Sequence, residues 1–220
     1  MSDTTYVQVL DLACGGLLLT AVLVLWRREL SVIVRVFAAQ GVAVAVLVAV
    51  LATHEGSAEL GGVAVGILVL RAGALPWLLR RALAGAGPAR RETRPLVNVA
   101  ASLLAAALLT LLAYAVSQPL VALAPSPATH AIPVGVTVFL IGFFVLVTRR
   151  RALSQLVGFL LMDNGITTVG FLTTAGVGLV VELGVSLDVL LAVLVLRILT
   201  TRMRETFGGT DLDELRELHD

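Results

Sequence analysis

Three ionisable residues lie deep within long apolar stretches of the sequence: Arg71, Asp163 and Asp188. A single charge at the centre of a bilayer costs about 2.5–3.5 kcal/mol on insertion scales, so each of the three needs a partner. In one interpretation they form a proton or cation path, in which a carboxylate is loaded and unloaded as a neighbouring cation moves. In the other, Arg71 pairs with a carboxylate in a static network that lets the helices insert and pack. Residue chemistry alone leaves both interpretations open.

The residues around Asp163 slightly favour the functional interpretation. Asn164 and Gly165 follow it directly, and Thr167 and Thr168 come within the next turn. These side chains can hold water or relay hydrogen bonds, although threonines in membrane helices more often satisfy their own backbone carbonyls. We therefore expect Asn164 to help order water beside the carboxylate.

Two further residues bear on the deep charges. Pro76 follows Arg71 by five residues and loosens the backbone ladder near the arginine, which would open room for water. Glu182 lies at the outer mouth of the apolar stretch that contains Asp188. The candidate path residues are therefore Asp163, Asp188, Arg71, Asn164 and Glu182.

The composition indicates which elements must position these residues. Of the 220 residues, 58% are apolar without counting glycine, against about 45–50% with glycine included in a soluble domain. All 16 cations are arginine, which excludes Schiff-base chemistry, and a net charge of +1 argues against a general nucleic-acid surface. The single cysteine, Cys14, excludes an intrachain disulfide, a zinc ribbon and an iron–sulfur cluster held by this chain alone. The chain is predicted to lie in a membrane.

Seven apolar segments reach the length of about 20 residues that a membrane-spanning helix needs. They cover residues 6–25, 30–53, 60–79, 96–117, 131–148, 152–174 and 181–201. Their apolar residues show no period-two alternation, which predicts helices, and the N-terminus lacks the cations of a cleaved signal peptide. The predicted fold is all-α integral membrane with seven transmembrane helices.

Arginine placement predicts the orientation, because cationic loops are retained in the cytoplasm. Arginines follow segments 1, 3, 5 and 7, and the three other loops contain none. The flanking arginines are Arg27, Arg28, Arg80, Arg81, Arg90, Arg91, Arg94, Arg149, Arg150, Arg151, Arg202 and Arg204. The N-terminus is therefore predicted outside and the C-terminus in the cytoplasm.

Segments 1 to 3 and 5 to 7 predict a parallel three-helix repeat joined by segment 4. A shift of 123 residues lays four residues of 27–31 on 150–154 and, without a gap, 59–61 on 182–184. The alternative is chance agreement in a chain so rich in Leu, Val, Ala and Arg. The same shift lays Gln40 on Asp163, so only the second half carries a carboxylate there.

The predicted organisation is a single membrane domain at 1–204 and a cytoplasmic tail at 205–220. Within the domain, the first triplet takes 1–81, loops and segment 4 take 82–130, and the second triplet takes 131–204. Two stretches rich in glycine or proline, 85–95 and 119–133, are predicted to be connectors.

The residues around the deep acids also carry a family resemblance. The segment GFLLMDNG at 158–165 is followed by ELGVSLD at 182–188, and Arg71 and Pro76 stand at a basic-x4-Pro spacing. Together with TFGGTDLD at 206–213, these resemble component E of hydrogenase-4, a membrane subunit of group 4 hydrogenase and formate hydrogenlyase complexes. The likeness runs over nearly the whole chain. Asp163 stands where the family often has Glu and Arg71 where it can have Lys, and since arginine keeps its proton, a charge-balancing role is implied for Arg71.

Segments 5 to 7 also look like the three-helix K-type subunit of respiratory complex I and the related C-type subunit of multisubunit cation/proton antiporters. That family has a glutamate in its second helix at what would be Leu160 here. This chain has its acid three residues later, at Asp163, and Asp188 falls near the family's second glutamate. The resemblance implies an acid displaced by about one turn.

The resemblance implies a non-catalytic subunit of the bacterial cytoplasmic membrane that contributes a proton path to a redox complex. Its partners would be antiporter-like membrane subunits and a soluble hydrogenase arm, contacted through cytoplasmic loops and the tail at 211–220, for which simple solvation is the alternative. No cofactor or metal is expected in this chain, which has no Cys-x-x-Cys and only His54, His130 and His219. Two alternatives remain: a structural scaffold of the same complex, and a component of a cation/proton antiporter without a redox partner.

Overall fold

The computed structural model describes residues 2–85 and 97–174, together with residues 190 and 193. Its elements are α1 (Asp3–Trp26), α2 (Leu30–Glu55), α3 (Ala58–Ile67), a π-helical segment (Leu68–Ala74), α4 (Leu75–Gly85), α5 (Val99–Leu123), α6 (Pro127–His130), α7 (Ile132–Thr148) and α8 (Ala152–Thr174). Six helical stretches are long and apolar enough to cross a membrane: Asp3–Trp26, Leu30–Glu55, Ala58–Arg81, Val99–Leu123, Pro127–Thr148 and Leu153–Thr173. The prediction of an all-helical, multi-pass membrane protein is confirmed for these six, and the orientation stays a prediction.

The seventh predicted segment, 181–201, falls outside the described residues apart from Leu190 and Val193. Both are helical, and Val193 is buried in the hydrophobic core. Residues 86–96, which include most of the connector predicted at 85–95, and the predicted tail at 205–220 also lie outside the described residues. A count of seven spans therefore stays a prediction.

Polar caps mark where several helices begin. The Ser2 hydroxyl accepts from the Thr5 N–H at the start of α1, and the Asn98 side chain accepts from the Ala101 N–H at the start of α5. These side chains satisfy backbone donors that have no partner within the first helical turn. At the other end of α2, Gly56 takes a left-handed conformation with φ of 67°, which glycine adopts without steric cost.

The predicted connector at 119–133 is wrong in its bounds. Helix α5 continues through Pro119 to Leu123, and α6 begins at Pro127. A proline removes one backbone donor, but its neighbours in hydrocarbon still need partners within the helix, so a spanning helix tolerates it. The proline content of the stretch indicated a break that the membrane environment disfavours.

Helix α2 lies at the centre of the described bundle. It contacts α1, α3, the π segment, α4 and α8, while α7 packs along α8 and also contacts α1 and α5. Helices α1 and α2 thus form one antiparallel hairpin, α7 and α8 form another, and the two hairpins pack together. This arrangement brings the middle of α2 against the middle of α8.

Arg149, at the end of α7, joins the two hairpins at one end of the bundle. Its side chain is buried, and Nη2 donates to the carbonyls of Val24 at 3.3 Å, Leu25 at 3.1 Å and Arg27 at 3.4 Å. The carbonyls of the last helical turn have no partner within α1, so the guanidinium satisfies them from a neighbouring helix. The C-terminal ends of α1 and α7 therefore lie side by side.

Candidate functional site

Arg71 enters the bundle from a π-helical turn in the third span. The Leu75 N–H donates to the Leu70 carbonyl, five residues back, where an α-helix would bond four residues back. Pro76 follows this turn and brings no N–H of its own, which agrees with the loosened ladder predicted before it. The Arg71 side chain is 1% exposed, so its charge is removed from solvent and lipid alike.

The Arg71 guanidinium contacts three side chains of α8. Nη2 lies 2.7 Å from Asp163 Oδ2 and donates to Thr167 Oγ1 at 2.8 Å, while Nη1 donates to Asn164 Oδ1. Asp163 and Thr167 are four residues apart and therefore share one face of the helix, with Asn164 beside them. The two deep charges predicted from the sequence thus form a buried ion pair with a carboxylate, an amide and a hydroxyl as acceptors.

The polar cluster continues from α8 to α2 through two amides. Asn164 Nδ2 donates to Gln40 Oε1 at 3.3 Å, and both side chains are almost completely buried. Because Arg71 can only donate, its contact requires the Asn164 oxygen to face it and the Asn164 nitrogen to face Gln40. We define the polar cluster as Gln40, Arg71, Asp163, Asn164 and Thr167.

Gly41 lets α2 approach the backbone of the π segment. A Cβ placed on Gly41 would lie 2.7 Å from both the carbonyl carbon and the carbonyl oxygen of Arg71, closer than side-chain carbons come in folded proteins. The neighbouring Gln40 is thereby held against the cluster. A glycine is required here by the approach of two backbones, since its φ is ordinary.

A glycine-lined contact between α7 and α8 fixes the other side of α8. A Cβ on Gly158 would lie 2.6 Å from the Leu146 nitrogen, and one on Gly165 would meet the backbone of Phe139. At about 100° per residue, Asp163 lies about 160° around the helix from Gly165. The glycines therefore pack α8 on α7 while the opposite face presents the acid to Arg71.

The contacts around Arg71 are compatible with both protonation states of Asp163. In a low-dielectric interior, the Arg71 cation stabilises ionised Asp163, and the Asn164 and Thr167 oxygens still accept from Arg71 when the acid is neutral. A carboxylate with these neighbours is suited to binding and releasing a proton without collapse of the site. The same contacts also suit a permanent ion pair.

Three of the five predicted path residues, Arg71, Asp163 and Asn164, lie in direct contact. Asp188 and Glu182 fall outside the described residues. Within residues 2–85 and 97–174, no group of three or more His, Cys, Asp or Glu side chains is arranged to hold a metal ion. Leu160, at the position where the K-type family has a glutamate, is buried in the hydrophobic core.

Sequence reasoning missed the part that two residues play. The sequence indicates Gln40 only as the counterpart of Asp163 under the 123-residue shift, whereas the structure places it against Asn164. The sequence predicts Arg149 to be one of three turn arginines, and the structure shows it 5% exposed and bonded to the end of α1. The polar residue in an otherwise apolar segment was the available signal for Gln40, and no sequence signal separated Arg149 from its two neighbours.

Comparison with known proteins gives a match over the full length and several matches over part of the chain. The uncharacterized protein Rv0085 of Mycobacterium tuberculosis (strain ATCC 25618 / H37Rv) is 50% identical over 220 residues, which cover the whole of both chains. Hydrogenase-4 component E of Escherichia coli (strain K12) is 31% identical over 131 residues, 60% of this chain and 61% of that protein. The component E proteins of Escherichia coli O157:H7 and Shigella flexneri give the same values.

No family model matches the chain, and no solved structure matches it either. The partial match to hydrogenase-4 component E agrees with the resemblance stated from the residues around Asp163 and covers a smaller part of the chain than that resemblance implied. Together with the six apolar spans, the full-length identity of 50% leads to one conclusion. The chain is a multi-pass membrane protein that belongs to the family of the mycobacterial protein Rv0085.

Proposed function

We propose that this protein is a non-catalytic membrane subunit of a hydrogenase-like, complex-I-related complex, and that Asp163 is part of its proton or cation path. The partial match to hydrogenase-4 component E supports the first statement. The second rests on one observation, the buried ion pair between Arg71 and Asp163 at the contact of the π segment with α8. Redox chemistry takes place in other subunits.

In this proposal Asp163 is the group that binds and releases the proton. Arg71 keeps its proton and balances the charge of the ionised acid. When Asp163 is neutral, the Arg71 cation favours ionisation of another acid in its reach, so protonation at one site drives deprotonation at the next. Asp188 and Glu182 are proposed as further members of this path, towards its outer end.

The partial match to hydrogenase-4 component E also supports a proposal for the partners and the location. Antiporter-like membrane subunits would continue the path laterally, and a soluble hydrogenase arm would contact the cytoplasmic loops and tail. Formate is one candidate electron donor, since formate hydrogenlyase complexes contain subunits of the hydrogenase-4 type. The location would be the bacterial cytoplasmic membrane. A mass spectrum of the purified complex identifies these partners directly.

Asp163→Asn in the complete complex tests the proposed path. We expect assembled complex that turns over electrons but translocates at least tenfold fewer protons per electron in inside-out vesicles, because an amide neither takes nor releases a proton. Asp163→Glu should retain most of the translocation. Asp11→Asn, at an exposed acid of α1, is the matched control and should leave translocation unchanged.

The result that overturns the path is unchanged translocation by an assembled Asp163→Asn complex. If Asp163→Asn does not assemble because Arg71 is left without its carboxylate, the double variant Asp163→Asn/Arg71→Gln removes both charges and keeps the test available. Restored assembly with restored translocation would equally overturn the proposal.

A structural scaffold is the second candidate, and one observation favours it. The Arg71 guanidinium contacts three side chains on one side of α8, so it also holds the third span against α8. A scaffold predicts that Asp163→Asn and Arg71→Gln lower the yield of complex while protons translocated per assembled complex stay constant. The ratio of translocation to assembled complex therefore separates the two candidates.

A further inference from the structure

The polar cluster ends on α2 in a glutamine that the ion pair itself does not need. Gln40 is 0% exposed, and its Oε1 accepts from Asn164 Nδ2 at 3.3 Å. Among the described residues, its Nε2 has no hydrogen-bond partner. A buried donor without an acceptor destabilises the folded state, so the amide nitrogen does not explain why this position holds a glutamine and not an apolar side chain.

The side-chain oxygen of Gln40 makes the contact with Asn164. The Asn164 amide has two orientations, related by a half-turn, that exchange its oxygen and its nitrogen. Only one of them presents the oxygen to Arg71, and in that orientation the nitrogen needs an acceptor on the opposite side. Gln40 Oε1 is that acceptor, so it favours the orientation in which Asn164 assists Arg71.

We infer that Gln40 is a positioning residue that acts through Asn164 on the Arg71–Asp163 pair. The inference deepens the proposed function and rests on it for its effect on translocation. Gln40 bonds to Asn164 and not to Arg71 or Asp163. It holds the amide that shares the Arg71 guanidinium with the acid, and so keeps the Asn164 oxygen facing Arg71 when Asp163 is neutral.

The position of Gln40 is consistent with this role. Gly41, the next residue, brings α2 against the Arg71 backbone, which sets the distance between Gln40 and α8. Under the 123-residue shift Gln40 also occupies the place of Asp163 in the first half of the chain. One half thus supplies the acid, and the other supplies the neutral group that orients the neighbour of the acid.

A double-mutant cycle between Gln40 and Asn164 tests the inference. Gln40→Met, which keeps the length of the side chain, and Asn164→Leu are introduced singly and together into the complete complex. Protons translocated per electron should fall severalfold in each single variant, and the double variant should be no worse than Asn164→Leu alone. Gln155→Met, at another helix glutamine that donates to the Arg149 carbonyl, is the matched control and should leave translocation unchanged.

The unfolding midpoint in detergent is also measured for the wild type, the two single variants and the double variant. This midpoint does not depend on proton translocation. The destabilisation by Gln40→Met should be smaller in the Asn164→Leu background than in the wild type, because the shared hydrogen bond is already absent there. Additive effects on unfolding would overturn the inference. Wild-type translocation by Gln40→Met would also overturn it if Asp163→Asn has lost translocation. If Asp163→Asn translocates normally, the proposed function fails, and non-additive unfolding would still establish that Gln40 acts through Asn164.

Discussion

The protein buries two arginines in different ways. Arg71, in the third span, is 1% exposed and contacts the side chains of Asp163, Asn164 and Thr167. Arg149, at the end of α7, is 5% exposed and donates to backbone carbonyls at the end of α1. Both cations are withdrawn from water, and both join helices that are far apart in the chain.

The difference lies in the chemistry of the acceptors. A backbone carbonyl is a fixed dipole whose charge does not change with pH, so the Arg149 contact has a single state. A carboxylate gains or loses a whole charge, so the contact of Arg71 with Asp163 has two states, one with the acid ionised and one with it neutral. Burial of an arginine therefore does not by itself indicate function, and the acceptor that the arginine meets decides whether the contact can take part in proton movement.

The comparison is tested most strongly by removing Arg71. Arg71→Met should destabilise the bundle by about 3–5 kcal/mol, because the Asp163 charge stays buried without its cation. The measurement is unfolding of the purified protein in mixed micelles, followed by circular dichroism. The double variant Arg71→Met/Asp163→Asn removes both charges and should recover most of the loss. If the double variant is as unstable as Arg71→Met, the ion pair is not the source of the effect.

Removing Arg149 should have a smaller effect on stability and none on coupling. Arg149→Met loses the hydrogen bonds that a charged donor makes to carbonyls at the end of α1, worth about 1.5–3 kcal/mol. Arg28→Met, at an exposed arginine after α1, is the control and should stay within about 0.5 kcal/mol of the wild type. Protons translocated per assembled complex should not change in either variant. A loss of translocation in an assembled Arg149→Met complex would remove the distinction between the two arginines.

The approach of α2 to Arg71 offers the third and smallest test. Gly41→Ala places a Cβ 2.7 Å from the Arg71 carbonyl and should cost about 1–3 kcal/mol through backbone displacement. Gly66→Ala, in the same bundle but with open space around its Cβ, is the control and should be neutral or stabilising by up to about 1 kcal/mol through helix propensity. Unfolding midpoints of the two variants compare them directly. Equal midpoints would show that the close approach does not hold the π segment in place.

Much of the fold could be predicted because the bilayer restricts what an apolar chain can do. Six of the seven predicted segments agree with helical spans, and the bounds differ most at the C-terminal end of α5 and at the start of the span Pro127–Thr148. The extension of α5 through Pro119 was not predicted, since proline ends helices in water more readily than in lipid. The parallel repeat stays a proposal, supported by the adjacent C-terminal ends of α1 and α7 and by the contact between Gln40 and Asn164.

The candidate site was predictable in its two charges and in Asn164, whereas the contacts of Gln40 and Thr167 were not. Arg71 and Asp163 stand out because a charge in hydrocarbon demands an explanation. Gln40 and Thr167 carry no charge, and polar neutral side chains can satisfy themselves on their own helix, as Thr168 does by donating to the Asn164 carbonyl at 2.7 Å. Whether such a residue faces a neighbour depends on helix rotation, which composition does not reveal.

The sequence by itself determined that this chain spans a membrane and that Arg71 and Asp163 need partners, because both statements follow from the cost of placing charge and backbone in hydrocarbon. Only the tertiary structure decided that these two residues are each other's partners, that Asn164 and Gln40 extend the pair to α2, and that Arg149 caps α1 instead of facing water. The reason is that these contacts join residues about 90 to 125 positions apart, and their geometry is set by close backbone approaches at Gly41 and along the α7–α8 glycines.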